Sequence, residues 1–578
     1  MINEIDINKS NEINNKTTNA ADSEKNSEKN SEKNSEKSGE KNDENSGEKN
    51  GEKKKSNENN KVLENVNQQG LDVTNINENK DTISKKSAIK SELETSIQLK
   101  NILNTSVIDA LAQMVFYLMK IIDSQHSAAY SLFQTVMNSY CKILVYESRH
   151  DINNFNQRPY FRFFLAILIE LNKNEKNLDQ LYNKCILALG YYLSILNPLR
   201  VPIFVFAWIE LISNKLFLPK ILKTSKGWVI YNKIIIYLLE FLYIFLKNAF
   251  LTSAIKLLYR ATLRLLLILL HDFPEFLCVY NFSFCNSIPL NCVQLRNLVL
   301  SAFPRNVKLP HPFYPNLKID VLPEMKIVPV ILNNFTFLLI DYKIKKNIDN
   351  YFVSRNLKSL KIIHKKLMIK NKIKAFYIKT KYNIPLINAL VLYLGLSLPA
   401  QILVIDNVPE SHPALEIILY LTYKLDMEGR YYVLSSIVNH LRYPNAHTHY
   451  FSCVLLWLFN ISKLEIVKEQ ITGILLERLI VHRPHPWGLL ITFIELIKNP
   501  IFQFWDCSFV RIVPEIENLF NSIANSCYGM WAIMEVYLRT HSHNRTYIHI
   551  CTHIHIYIYI YITTLSTTCK GYHALLIG

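Results

Sequence analysis

Polar and apolar positions divide the chain into stretches of different character. Residues 23–34 are Ser-Glu-Lys-Asn three times over, and degraded copies run on to Lys55. With few aromatic or β-branched residues and alternating charges, nothing in this region offsets the entropy of ordering. Residues 1–95 therefore read as a disordered low-complexity arm. From about residue 98 apolar positions recur at helical spacing: Val107, Ile108, Leu111, Met114, Val115, Leu118, Ile121 and Ile122. Ser106, three residues before Asp109, fits an N-cap. Helix follows helix to residue 525, punctuated by proline. Ser462-Lys-Leu-Glu465 reads as a capping box opening a helix to about Val481. Asp272-Phe-Pro-Glu275 combines a cap, an early proline and a carboxylate suited to the helix dipole. Helices over 429–442 and 487–498 are expected to stop at Pro444 and Pro500.

Helices joined by short Pro/Asn turns, without strand-like alternation before the last stretch, predict an all-α fold. Its expected form is a HEAT-like helical-hairpin solenoid with a disordered N-terminal arm. The expected organisation is an arm at 1–95, a helical lead-in at 98–196 and the main scaffold domain at 197–528. The final segment, 529–578, differs. Residues 549–562, His-Ile-Cys-Thr followed by five His-Ile or Tyr-Ile pairs, would as protein make an alternating, two-faced, uncharged strand. Because Tyr-Ile and His-Ile repeats are what dinucleotide microsatellites encode, the tail reads as a gene-model artefact.

Composition sharpens this picture. Hydrophobic residues make up 49% of 578, enough for a large core, and there are only 13 glycines. Phosphate cradles and glycine-turned sandwiches are disfavoured, and no G-x-x-x-x-G-K-[ST], G-x-S-x-G or H-E-x-x-H motif occurs. The chain does not read as an enzyme. Its net charge of +17 is concentrated: residues 343–381 hold thirteen Lys/Arg and one acid, Asp349, a local excess of +12. Lys361, Lys365, Lys366, Lys370, Lys372 and Lys374, interleaved with Ile, Leu, Phe and Tyr, are candidates for direct RNA contact. A solvated basic insertion explains the same pattern.

Other candidate chemistry is weak. Cys278, Cys285 and Cys292 match no zinc spacing, and the ten cysteines form no C-x-x-C pair. No metal or other cofactor is expected. A polar N-terminus without a signal peptide's apolar core implies reduced, intracellular thiols. The segment 384–405 is the best uncharged candidate for a membrane span, but Pro385, Asn388, Pro399 and Gln401 interrupt it, so no membrane association is expected. His447-Thr-His449 could offer two metal ligands, although such a pair in a helix-to-helix turn more often caps or packs. Asp426-Met-Glu428 matches the opening of two-metal exonuclease sites, yet Asp22-Ser-Glu24 in the arm matches it equally well.

Longer ordered blocks are specific. Asn197-Pro-Leu-Arg-Val-Pro202 and Leu269-Leu-His-Asp-Phe-Pro-Glu-Phe-Leu277 come first, then Gln294-Leu-Arg-Asn-Leu-Val-Leu-Ser-Ala-Phe-Pro-Arg-Asn306 and Leu386-Ile-Asn-Ala-Leu-Val-Leu-Tyr393. Glu428-Gly-Arg-Tyr431 and Leu441-Arg-Tyr-Pro-Asn-Ala-His-Thr-His-Tyr-Phe-Ser-Cys453 follow, and Leu475-Leu-Glu-Arg-Leu-Ile-Val-His-Arg-Pro-His-Pro-Trp-Gly-Leu-Leu-Ile-Thr-Phe-Ile-Glu-Leu-Ile-Lys-Asn-Pro500 closes the series. With these blocks, about 155–528 resembles the C-terminal region of the large NOT scaffold, subunit one of the Ccr–Not deadenylase complex. The resemblance implies a HEAT-like solenoid without a catalytic site. It also implies docking of NOT-box subunits and RNA-binding repressor proteins, in the service of mRNA deadenylation, decay and translational repression. The implied location is cytoplasmic, including mRNA-processing foci, with the nucleus as a second compartment. Family members are several times longer, so the chain is expected to be a C-terminal piece, a truncated gene model or a specialised paralogue.

Two turns then become candidate partner contacts: Tyr443, Pro444, His447, His449, Tyr450 and Phe451 in one, Pro484, His485, Pro486 and Trp487 in the other. The competing reading is that both brace inter-helix corners. Arg200, between Pro198 and Pro202, and Asp272 read as structural.

Overall fold

Prolines and short polar side chains set where many of the helices begin. Thr224 accepts from the Gly227 N–H at 3.1 Å to open Ser225–Leu246, and Thr252 does the same for Ser253–Asp272. Pro274, Pro385 and Pro413 occupy first or second helical positions, where the missing N–H costs nothing. Gly227 is required by crowding: a Cβ there would lie 1.8 Å from the Ile221 carbonyl oxygen.

The computed structural model describes residues 106–122, 126–152, 155–173, 179–312, 317, 319–369, 380–397 and 412–511. The expected arm and tail lie outside these residues, as do Lys370, Lys372 and Lys374. Among the described residues the chain is helical, with one isolated bridge between Met368 and Tyr382 and no strand. Helices pack as a two-layered solenoid of hairpins. One row runs from His126–His150 through Asp179–Ile195, Ser225–Leu246 and Pro274–Ser287 to Ile384–Leu396, Met427–Val438 and Glu465–Leu479, each against the next. A second layer includes Gln157–Lys173, Val205–Ile212, Ser253–Asp272 and Val293–Leu300.

Two large apolar clusters form the core, one centred on residues 112–302 and one on 282–510. Buried arginines brace the helices of both, and Arg442 spans from one to the other. Arg296 donates to the Cys285 and Ile288 carbonyls, Arg478 to the Ser435 carbonyl and hydroxyl, and Arg442 to the Cys278 carbonyl at 3.0 Å. The Asn297 amide reaches the Arg478 carbonyl at 2.7 Å, across 181 residues of sequence. Burial and the neighbouring Arg296 bring the Arg478 guanidinium down to about 10. The Arg296 guanidinium supplies donors to carbonyls at the C-terminal end of Pro274–Ser287, and Arg442 adds a donor to a carbonyl inside the same helix.

Several local expectations are corrected. Ser462 ends Ala446–Ile461 and bonds the Leu464 carbonyl, so the capping box does not form; Glu465 instead accepts from the Ser508 N–H. Asp272 is the last residue of one helix rather than the cap of the next, whose N-cap is Phe273. The helix expected over 429–442 is Met427–Val438, capped by Asp426. In the helix over 106–121, Ala112, Val115, Phe116 and Met119 face the core, while Val107, Leu111, Met114, Leu118 and Ile121 are exposed. Both stripes have helical spacing, so the period alone could not choose the buried one. The described helix at 384 stops at Leu396. Ser225–Leu246 is the one described helix long and apolar enough to cross a membrane; here it packs between Asp179–Ile195 and Pro274–Ser287.

Candidate functional site

The first candidate turn is assembled around Asn445. Its side-chain oxygen accepts from the His447 and Thr448 N–H groups, both at 3.0 Å, and caps Ala446–Ile461. Its amide nitrogen donates to the Tyr443 carbonyl at 2.5 Å and the Thr448 hydroxyl at 3.0 Å. The Thr448 hydroxyl also accepts from the Arg442 N–H, and the Arg442 guanidinium lies over the Tyr443 ring. Every one of Tyr443, Pro444, His447, His449, Tyr450 and Phe451 is buried.

The two histidines diverge. His447 packs edge-on to His440 and Phe451, and neither of its ring nitrogens has a partner among the described residues. Burial, with Arg442 close by, pushes its pKa down to about 4. His449 points the other way, its Nε2 2.7 Å from Asp320 Oδ1. That hydrogen bond holds the Asp320 carboxyl below its ordinary range. The pair cannot chelate, and among the described residues no group of three His, Cys, Asp or Glu side chains could hold a metal.

The second turn leans on the first. The Gly488 N–H donates to the Arg442 carbonyl at 2.5 Å, and a Cβ on Gly488 would meet Thr448 Cγ2 at 2.4 Å. Pro486 and Trp487 are buried, Pro484 and His485 half-buried. Burial also brings His485 to about 4. Trp487 Nε1 donates to the Pro310 carbonyl at 2.7 Å.

Together the two corners hold down a crossing segment that the sequence did not single out. Residues 319–334 form a strap over the helices. It is fixed by Asp320 to His449, by the Ile327 carbonyl to the Ala446 N–H at 2.9 Å, and by the Leu332 N–H to the Val279 carbonyl at 3.1 Å. Asn333 donates to the Ser283 hydroxyl at 2.6 Å. Met325 turns inward against Trp487 and Ile491. Outward, the strap and the short helix Phe335–Asp341 after it present Ile327, Val328, Val330, Leu332, Phe337 and Ile340, each more than half exposed. Six large apolar side chains within fourteen residues make an exposed ridge of the kind that marks protein contact. The signal was present as the run Ile327-Val-Pro-Val-Ile-Leu332, but an apolar run of that length reads by default as buried.

The carboxylates of Asp426 and Glu428 are engaged structurally. Asp426 caps Gly429 N–H at 2.9 Å, accepts from the Tyr382 hydroxyl at 2.7 Å and pairs with Lys381 at 2.6 Å. Burial alone would raise its pKa, but these three donors bring it down to about 2. Glu428 accepts from Thr380 and Tyr432. Asp426→Ala is expected to cost about 1 kcal/mol, the worth of the cap, since the lysine pair is largely solvent-screened; urea midpoints of the two proteins measure it.

Within the basic stretch, Lys361 and Lys365 are exposed on Leu357–Leu367, beside Lys358. Other cations there are engaged: Lys345 with Asp349, Arg355 with Glu416, Lys381 with Asp426, and Lys366 with the Lys343 carbonyl. The described cysteines 278, 285 and 292 are buried and unpaired.

Residues 168–524 match the family model described as Not1, a CCR4-Not complex component. The chain is 38% identical over 459 residues to the CCR4-NOT transcription complex subunit let-711 of Caenorhabditis elegans, covering 75% of this chain and 17% of that protein. It is 35% identical over 383 residues to the general negative regulator of transcription subunit 1 of Schizosaccharomyces pombe, covering 64% and 18%. It thus spans about a fifth of the length of these relatives. Among solved structures it is similar to the NOT1 superfamily homology domain from Chaetomium thermophilum, with a TM-score of 0.67 at 30% identity, over 73% of this chain and 84% of that one. A Not1 C-terminal domain in complex with Not4 gives 0.61 at 28% identity, over 71% and 86%.

Proposed function

Because the chain belongs to the Not1 family of CCR4–Not components, we propose that it is a non-catalytic docking scaffold of that complex. On this reading it receives NOT-box subunits and RNA-binding repressor proteins and serves mRNA deadenylation, decay and translational repression. The observation that carries the proposal is the apolar ridge on the strap, anchored to the two corners through Asp320 and Met325 and left uncovered in the isolated chain. A related Not1 domain that binds Not4 supports partner docking as the use of this fold. The spent carboxylates of Asp426 and Glu428 agree with a role that involves no chemistry. The site of action on this reading is the cytoplasm, with its mRNA-processing foci, and secondarily the nucleus. Direct RNA contact through 343–381 is the weaker reading, since four of its described cations are already engaged within the chain.

The test is reconstitution. Purified chain mixed with NOT-box subunits of the family should co-elute with them on size exclusion. Val330→Asp with Phe337→Asp should weaken that association by about thirtyfold or more, the equivalent of about 2 kcal/mol, as loss of interface anchors does, while leaving the melting temperature within a few degrees. Failure of the unaltered chain to co-elute would overturn the scaffold reading; undiminished binding by the variant would remove the ridge from it.

A further inference from the structure

A second surface, remote in sequence from the ridge, has a chemistry of its own. Helix Ser253–Asp272 buries Ile255, Leu258, Thr262, Leu265, Leu266 and Leu269 on one face. On the opposite face Lys256, Arg260 and Arg264 are exposed at four-residue intervals, which places successive cations about 6 Å apart along the axis. None of the three is in an ion pair or side-chain hydrogen bond among the described residues. Leu257, Leu267 and Ile268 flank them on the same face, 57%, 46% and 40% exposed. The acids at the far end of the helix are already taken: Asp272 pairs with His271, and Glu275 accepts from the Arg305 N–H.

We propose that this face docks an acidic amphipathic helix, with carboxylates one turn apart meeting the cations and apolar side chains meeting the leucines. Two arguments select a helix over a nucleic acid. The flanking side chains are aliphatic, whereas single-stranded RNA is held by aromatic platforms that this face does not expose. The i, i+4 repeat also matches the period at which a partner helix presents its own side chains. Complementary charge of this kind sets register and partner choice as well as attraction. The proposal does not depend on the scaffold reading, because its probe is synthetic and needs no CCR4–Not subunit.

The probe is a fluorescent helical peptide bearing glutamate at every fourth position with leucine beside each. Fluorescence anisotropy with the full chain should show saturable binding that weakens as salt rises. Lys256→Glu, Arg260→Glu and Arg264→Glu together should reduce affinity at least about tenfold, and the milder Arg260→Ala with Arg264→Ala about threefold. Lys358→Glu, Lys361→Glu and Lys365→Glu, on another helix, should leave it unchanged. A peptide with the same composition scrambled should bind at least about tenfold more weakly. The proposal is overturned if the peptide does not bind, if both triple variants lose it equally, or if an oligouridylate binds this face more tightly than the peptide does. Should the first triple variant fail to fold, the double alanine variant decides, and undiminished peptide binding by it counts against the proposal.

Discussion

Moving the protein from pH 7 to pH 4.5 should remove roughly 5 kcal/mol of stability through two histidines alone. His447 and His485 are both held near 4 by burial, whereas in an unfolded chain they take up protons near 6.5. The folded state accepts only the neutral ring, so stability is complete above about 6.5 and drains away as pH falls toward 4. Each histidine gives up about 1.4 kcal/mol per pH unit across that window. His440 is also lowered, by burial and then by His447 and Arg442, and adds to the same trend. Asp426 does not contribute here; with its pKa at about 2, its share is lost only below about pH 4. Melting temperatures taken every half unit of pH measure the slope. The slope of His447→Gln with His485→Gln, each point referred to that variant's own value at pH 7, should be markedly shallower; an unchanged slope would show that the acid sensitivity arises elsewhere.

Asn445→Ala should cost about 3 kcal/mol. Loss of a helix cap accounts for about 1–2 of this, and loss of the amide's two hydrogen bonds, to the Tyr443 carbonyl and the Thr448 hydroxyl, each of which keeps one other donor, accounts for the rest. Because Ala446 N–H holds the strap through the Ile327 carbonyl, the damage should reach outward. Hydrogen exchange ought to accelerate at Ala446 and at Leu332 beyond what global destabilisation explains, while Val293–Leu300 changes only with the global term. Asn445→Asp keeps the acceptor for two N–H groups but sets a carboxylate oxygen against the Tyr443 carbonyl in a buried corner, so it should recover little of the loss.

How much of this was legible beforehand differs from residue to residue. Helix content, the proline breaks and the start of Trp487–Lys498 followed from periodicity and cap chemistry, which are local. The fate of the candidate turns did not. Tyr443, His447 and His449 have the composition of a polar-aromatic surface, and only the long-range fold reveals that all three are buried in a corner, His449 bonded to Asp320. Arg296, Arg442 and Arg478 mislead in the same direction: arginine is ordinarily exposed, yet here each is buried with its guanidinium on backbone carbonyls, and for Arg442 that partner, Cys278, is 164 residues away. The apolar run at 327–332 misleads the opposite way. Its exposure comes from anchors at Val279, Ala446 and His449, so nothing within the run itself foretells it. The two stripes of the 106–121 helix make the same point within a single element.

The strap's fastenings also set an order of assembly. Asp320 leaves the ribosome 129 residues before His449. At synthesis rates of about 5–20 residues per second, that clasp waits roughly 6 to 26 seconds for its mate. Helical hairpins upstream, whose contacts are local, have ample time to form in that interval. The apolar ridge is therefore on a loose ribbon during translation and acquires its fixed shape only when the final corners emerge, so a nascent chain stalled before residue 446 carries a folded stack without its finished docking face.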